Sequence, residues 1–131
     1  DPEKLKGKLD EYALPGVAFR TIRYKPFSGS LAGKLVKGLQ YFFTDYETAR
    51  LTDVQFYVMQ AVAELYPDKK PFEIISGYGL FDKVCGTDYV RINFSKRYKV
   101  SDIEDYWRKD EEDFRILSQK YYLYPDTGLL P

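Results

Sequence analysis

Apolar and polar positions along this chain keep two rhythms, one helical and one alternating, and the changes of rhythm mark its elements. Residues 2–13 follow the helical spacing: Leu5, Leu9 and Tyr12 share a face, Asp1 can cap the first turn, and Pro2 suits that turn because its missing N–H has no partner there anyway. Leu14-Pro15-Gly16 stops the helix. Val17 to Tyr24 reads as a strand, rich in β-branched and aromatic residues, with its alternation broken by Arg20 and Arg23. Pro26 to Lys34 is a loop carrying Ser28, Gly29, Ser30 and Gly33. Gly38 to Thr44 predicts a second strand, and aromatic residues on both of its faces predict a central position, buried on two sides.

Asp45 to Leu51 is a connection, after which Thr52 opens a helix that runs through Tyr66. Thr52 and Gln55 have the spacing of a capping box; Val54, Val58, Ala61, Val62 and Leu65 recur at helical intervals, and Pro67 ends the run. Within Pro71 to Gly79, Phe72-Glu73-Ile74-Ile75 suits a short strand. Leu80 to Cys85 predicts one or two helical turns closed by Gly86, and Thr87 caps a short helix from Asp88 to Lys96. Ser101 and Glu104 form a second capping box, opening a helix to about Ser118 whose Ile103, Trp107, Phe114 and Leu117 face the core. Tyr121 to Tyr124 returns as an edge strand before Pro125. The sum is a single compact α+β domain, a small, mostly antiparallel sheet packed with about four to five helices.

Composition narrows the function. Basic and acidic side chains number 20 each and no long Lys/Arg run exists, which argues against nucleic acid, whose binding needs a cationic face. No apolar run approaches the roughly 20 residues of a bilayer span, and no signal peptide is visible. The chain starts at Asp1 rather than Met, which reads as a mature or truncated piece of something longer. It contains no histidine, so imidazole-based zinc sites and Ser-His or Cys-His nucleophile pairs are excluded. A single cysteine excludes an intrachain disulfide framework and a cysteine-rich metal site. The expectation is no metal and no cofactor. Aromatic residues reach 18%, with 13 Tyr, whose apolar ring and polar tip suit half-wet surfaces as well as cores.

Few residues are candidates for chemistry. The acidic run Asp110-Glu111-Glu112-Asp113 has the carboxylates for acid–base work, but beside Arg108, Lys109 and Arg115 it reads as a solvated helix face. Cys85, with no histidine to act as base, reads as a small hydrophobe. The expectation is therefore no catalytic residue in this chain. Two segments suit a ligand. Lys25-Pro26-Phe27-Ser28-Gly29-Ser30 through Gly33-Lys34 combines small residues, hydroxyls and lysines, although a plain hairpin connection has the same composition. Leu80 through Thr87 ends a helix at a glycine and starts another at a threonine, which suits either an anion or hydroxyl contact or simple capping.

The order of these segments is distinctive. Leu14-Pro15-Gly16-Val17 through Phe19, Pro26 with Ser28 and Gly33, Gly38-Leu39-Gln40 through Thr44-Asp45, Leu65-Tyr66-Pro67, Leu80-Phe81-Asp82 with Gly86-Thr87, Trp107 through Phe114 and Tyr122-Leu123-Tyr124-Pro125 follow one another in that sequence. The set resembles the C-terminal part of the bacterial exo-β-N-acetylmuramidase family, formerly a domain family of unknown function, over residues 14–125. The resemblance implies an auxiliary domain, residues 1–131, of a glycoside hydrolase that releases N-acetylmuramic acid from the non-reducing ends of peptidoglycan fragments. It also implies an N-terminal, Rossmann-like catalytic domain absent from this chain, with the substrate cleft between the two. The implied partners are that domain and a peptidoglycan-derived saccharide, in the bacterial cell envelope (periplasmic or secreted) or the cytoplasm. Pro15, Gly16, Pro26, Ser28, Gly33, Gly38, Asp45, Asp82, Gly86 and Thr87 match the family pattern, and of the residues near these motifs Ser28, Lys34, Asp82 and Thr87 are the implied substrate contacts. The sequence departs from the family at Gly29-Ser30-Leu31, where other members carry a bulkier stretch with a lysine and an aromatic. A free-standing carbohydrate-binding or protein-interaction module is the alternative reading, and the tyrosine richness motivates it.

Overall fold

The computed structural model describes residues 1–74 and 78–124. Helix α1 (Pro2–Glu11) starts as its sequence requires: the Asp1 carboxylate accepts from the backbone N–H groups of Glu3 and Lys4. Strands β1 (Val17–Tyr24) and β2 (Val36–Phe43) form a two-stranded antiparallel hairpin, with Val17 opposite Phe43 and Tyr24 opposite Val36. Helix α2 (Val54–Leu65) follows, then a 3-10 turn (Pro67–Lys69) and the short helices α3 (Pro71–Ile74) and α4 (Gly79–Cys85). Helix α5 (Tyr89–Arg97), a second 3-10 turn (Val100–Asp102), α6 (Glu104–Arg108) and α7 (Glu111–Gln119) complete an α+β domain.

Helix α2 is apolar nearly all round, because it is packed on two sides. One side carries Phe56 and Ala63 into a cluster with Phe72, Val90, Phe94, Tyr98 and Ile103; the other carries Val54 and Ala61 against Leu9 of α1 and Phe19 of β1. Between the two clusters lies Gln60, 9% exposed, whose amide is fully used. Its Nε2 donates to the Tyr12 hydroxyl and the Glu64 carboxylate, and its Oε1 accepts from the Val100 N–H at 2.9 Å. A buried amide is tolerated when its donors and acceptor are all satisfied.

Several expectations from the sequence fail here. Strand β2 is not central: the sheet has two strands among the described residues, and Tyr41 and Phe42 are exposed. The outward-facing Phe42 is covered instead by the Arg20 guanidinium, 4.9 Å from its ring centre, while Arg20 donates to Gln40 across the hairpin. Thr52 and Gln55 form no capping box, since α2 begins at Val54 and its cap residue Asp53 makes no side-chain bond to the helix. The Asp53 carboxylate accepts from Arg108 instead. Pro71–Ile74 is a helical turn rather than a strand, with Ile75 outside the described residues; its Phe72 N–H donates to the buried Tyr98 hydroxyl. The helix expected from Ser101 to Ser118 is divided, starting in a 3-10 turn and breaking at Lys109-Asp110. Four successive acids stabilise the positive end of a helix dipole and do little inside one, so they open a new helix at Glu111. Consequently only Ile103 and Trp107 of the expected stripe reach the core; Phe114 and Leu117 are exposed. Tyr121–Tyr124 is no strand, and Pro125 lies outside the described residues.

Candidate functional site

Three adjoining clefts open around the start of α2. The first, about 480 Å³, is lined by Thr52, Gln55, Gly86, Thr87, Trp107 and Lys109 among others, and by Phe56 and Val90 at its apolar floor. The third shares Thr52, Trp107 and Asp110 with it and continues along Arg50, Arg108 and Phe114; the second shares Pro15, Arg50 and Asp53 with the third. Together they form a groove with an aromatic floor and a charged rim, the usual mixture of a small-molecule site.

Each wall has a local cause. Trp107 is fixed by an edge-to-face contact with Phe56, ring centres 4.6 Å apart. Tyr106 stacks on Tyr89 at 4.0 Å, and the Lys109 ammonium sits 4.4 Å over the Tyr106 ring. Arg108 ties the far wall together, donating to Asp53 at 2.5 Å and to Glu104 at 3.3 Å. The corner between α4 and α5 is shaped by Gly86, which ends α4 at φ +70°, a left-handed conformation that glycine adopts without strain. The Thr87 hydroxyl then accepts from the Tyr89 N–H at 3.1 Å.

The four site residues implied by the sequence do not converge. Thr87 lines the first cleft. Asp82 faces Arg91, which donates to it in a two-pronged pair at 2.8 and 2.9 Å, so it braces α4 against α5. Hydrogen bonding from Arg91 holds the Asp82 carboxyl below the usual carboxylate range. Ser28 and Lys34 are exposed on the β1–β2 loop, whose tip residue Phe27 is wholly exposed. The family-like Pro15, Gly16 and Asp45 stand where the chain turns into and out of the hairpin. There the Gly16 carbonyl accepts from the Thr44 N–H, and the Asp45 carboxylate accepts from the Glu47 N–H and the Thr48 hydroxyl. That knot ties the start of β1 to the exit of β2.

Gln55, Tyr106 and Lys109 join the site without any signal in the sequence that marks them for it. Thr52 and Gln55 do sit three apart, but that spacing reads as a cap. Cys85 also lines the first cleft, half-buried; burial, with the Asp82 charge nearby, raises its pKa and keeps the thiol protonated. The acidic residues that begin α7 are exposed and engaged, Glu112 with Arg115 at 2.6 Å and Glu111 with Arg108 at 3.7 Å.

Fold and groove define a small α+β domain with an aromatic, charge-rimmed cleft on its surface. Its family follows from comparison with known proteins. The family model described as exo-beta-N-acetylmuramidase NamZ, C-terminal, matches residues 1–124, and the chain belongs to that family. Peptidoglycan beta-N-acetylmuramidase NamZ of Bacillus subtilis (strain 168) is 29% identical over 121 residues, covering 92% of this chain and 28% of that protein. The crystal structure of a DUF1343 family protein from Bacteroides fragilis NCTC 9343 is similar with a TM-score of 0.91 at 43% identity, covering 95% of this chain and 33% of that one. The chain thus spans about a third or less of the relatives it matches.

Proposed function

We propose that this chain is the auxiliary, cleft-forming domain of a peptidoglycan-processing exo-β-N-acetylmuramidase, and that the catalytic carboxylates belong to an N-terminal domain of the same protein. The observation that carries this reading is one of proportion: the C-terminal family model spans residues 1–124, yet the chain accounts for only 28% of the muramidase it resembles. The groove supplies the role. Trp107 and Val84 present apolar surface to the C–H face of a sugar, Gln55 and Thr87 bond its hydroxyl and amide groups, and Lys109 meets the carboxylate that a muramic acid carries. Ser28 and Lys34 contribute from the hairpin loop, and Asp82 acts through Arg91 to hold the Thr87 corner. The place of action is the bacterial cell envelope, where such saccharides arise.

The test is turnover of a chromogenic muramide. The long protein should hydrolyse it and the isolated chain should not. Within the long protein, Lys109→Ala and Thr87→Val should raise KM about tenfold while kcat changes little, as for lost uniform binding. Turnover by the isolated chain, abolished by replacing one of its own acids, overturns the proposal. Tight saccharide binding by the isolated chain without turnover would favour the free-standing module instead.

A further inference from the structure

Helix α7 presents an apolar stripe that covers nothing among the described residues. Phe114, Leu117 and Tyr121 recur at three- and four-residue intervals and so share one face; all three are exposed, and Leu123 just beyond is 91% exposed. No residue of α7 is buried. An isolated nine-residue helix is marginal in water, because too few backbone bonds offset its nucleation. A stripe this regular on so short a helix is the pattern of an element stabilised by a surface packed against it.

Resting on the function proposed above, we propose that the α7 stripe is the docking face for the N-terminal domain of the same polypeptide. Two observations select that occupant over a second copy of this chain. The similar solved chain, at a TM-score of 0.91 over this fold, is about three times as long, so most of such a protein lies outside this domain. The second is size. Aromatic and large aliphatic side chains this exposed offer together roughly 500 Å², well short of the ~800 Å² per partner of a standard independent association. A tethered partner needs less, because the linker raises its effective concentration. The stripe also ends at Phe114, which lines the third cleft, so a domain seated on α7 borders the groove directly. The acidic start of α7, with Asp110 and Asp113 exposed, calls for a partner face that is apolar at its centre and cationic along one rim.

The experiment is amide hydrogen exchange on the long protein. Residues 111–119 should exchange at least about tenfold more slowly than an exposed helix end does. Phe114→Ser/Leu117→Ser should abolish that protection, and that of a segment in the N-terminal domain, while α2 and α5 stay protected. Gln119, exposed on the opposite side of α7, is the control: Gln119→Ser should leave protection unchanged. Unprotected α7, equal effects of Gln119→Ser, or protection that grows with protein concentration would each overturn the proposal, the last in favour of a second copy. The muramide assay reads the functional proposal separately. Turnover by the long protein with α7 unprotected removes the docking face alone; protected α7 with turnover by the isolated chain removes the functional reading.

Discussion

Gly16 shows how one position can be dictated by backbone alone. Its φ is +65°, and a Cβ placed there would meet the Asp45 carbonyl oxygen at 2.3 Å and the Thr48 hydroxyl at 2.9 Å. Both the conformation and the space exclude a side chain. Gly16→Ala should therefore cost on the order of 2 kcal/mol and lower the denaturant midpoint at unchanged slope. An unchanged midpoint would mean that the β1–β2 knot tolerates loosening. Here the Leu-Pro-Gly stop is readable in the sequence, but its partner is not. Asp45 lies far along the chain and meets Gly16 only because the hairpin brings the ends of β1 and β2 together.

Between elements, Glu64 is the joint. It projects from α2 and accepts from Lys8 of α1 at 3.1 Å and from Lys99 beyond α5, with further bonds from Gln60 and the Tyr12 hydroxyl. Burial opposes its ionisation, yet the hydrogen bonds and charges of Lys99 and Lys8 win and bring its pKa from 4.5 down to about 2. A carboxyl whose pKa is lower folded than unfolded contributes stability that is complete above the unfolded value and is lost as pH falls through the folded one. Glu64→Gln should thus cost about 1 kcal/mol at neutral pH, after allowance for solvent screening of a partly exposed group. That difference should shrink as pH falls from 4.5 towards 2, and urea titrations of both proteins across this window check it. A difference that is flat with pH would place the effect in packing. The helical period makes α2 evident, whereas it misplaces the start of α2 and conceals the break between α6 and α7. The first turns on Arg108, which occupies Asp53 in place of local capping, and the second on the acidic run that opens α7.

For the whole molecule, stability rests on the aromatic cluster around Phe94, which is fully buried and packs edge-on to Phe56, Phe72 and Tyr98. Phe94→Ala should cost about 3–5 kcal/mol, much of a typical domain's margin, with Phe94→Leu well below it. Equal losses in thermal or urea unfolding would show that ring geometry rather than volume matters. Among the described residues no helix is long and apolar enough to cross a membrane.

Periodicity determined the α+β class, the helices α1, α2 and α5, and the two strands of the hairpin, because those signals are local: each depends on residues within a few positions of one another. Tertiary structure alone decided that β2 is outer rather than central, that Thr52 and Gln55 face a cleft rather than cap a helix, and that Thr87, Trp107 and Lys109 share a wall. It also separated Asp82 from Ser28 and Lys34. These are matters of which distant groups satisfy one another's charges, hydrogen bonds and volumes, and no spacing along the chain encodes them.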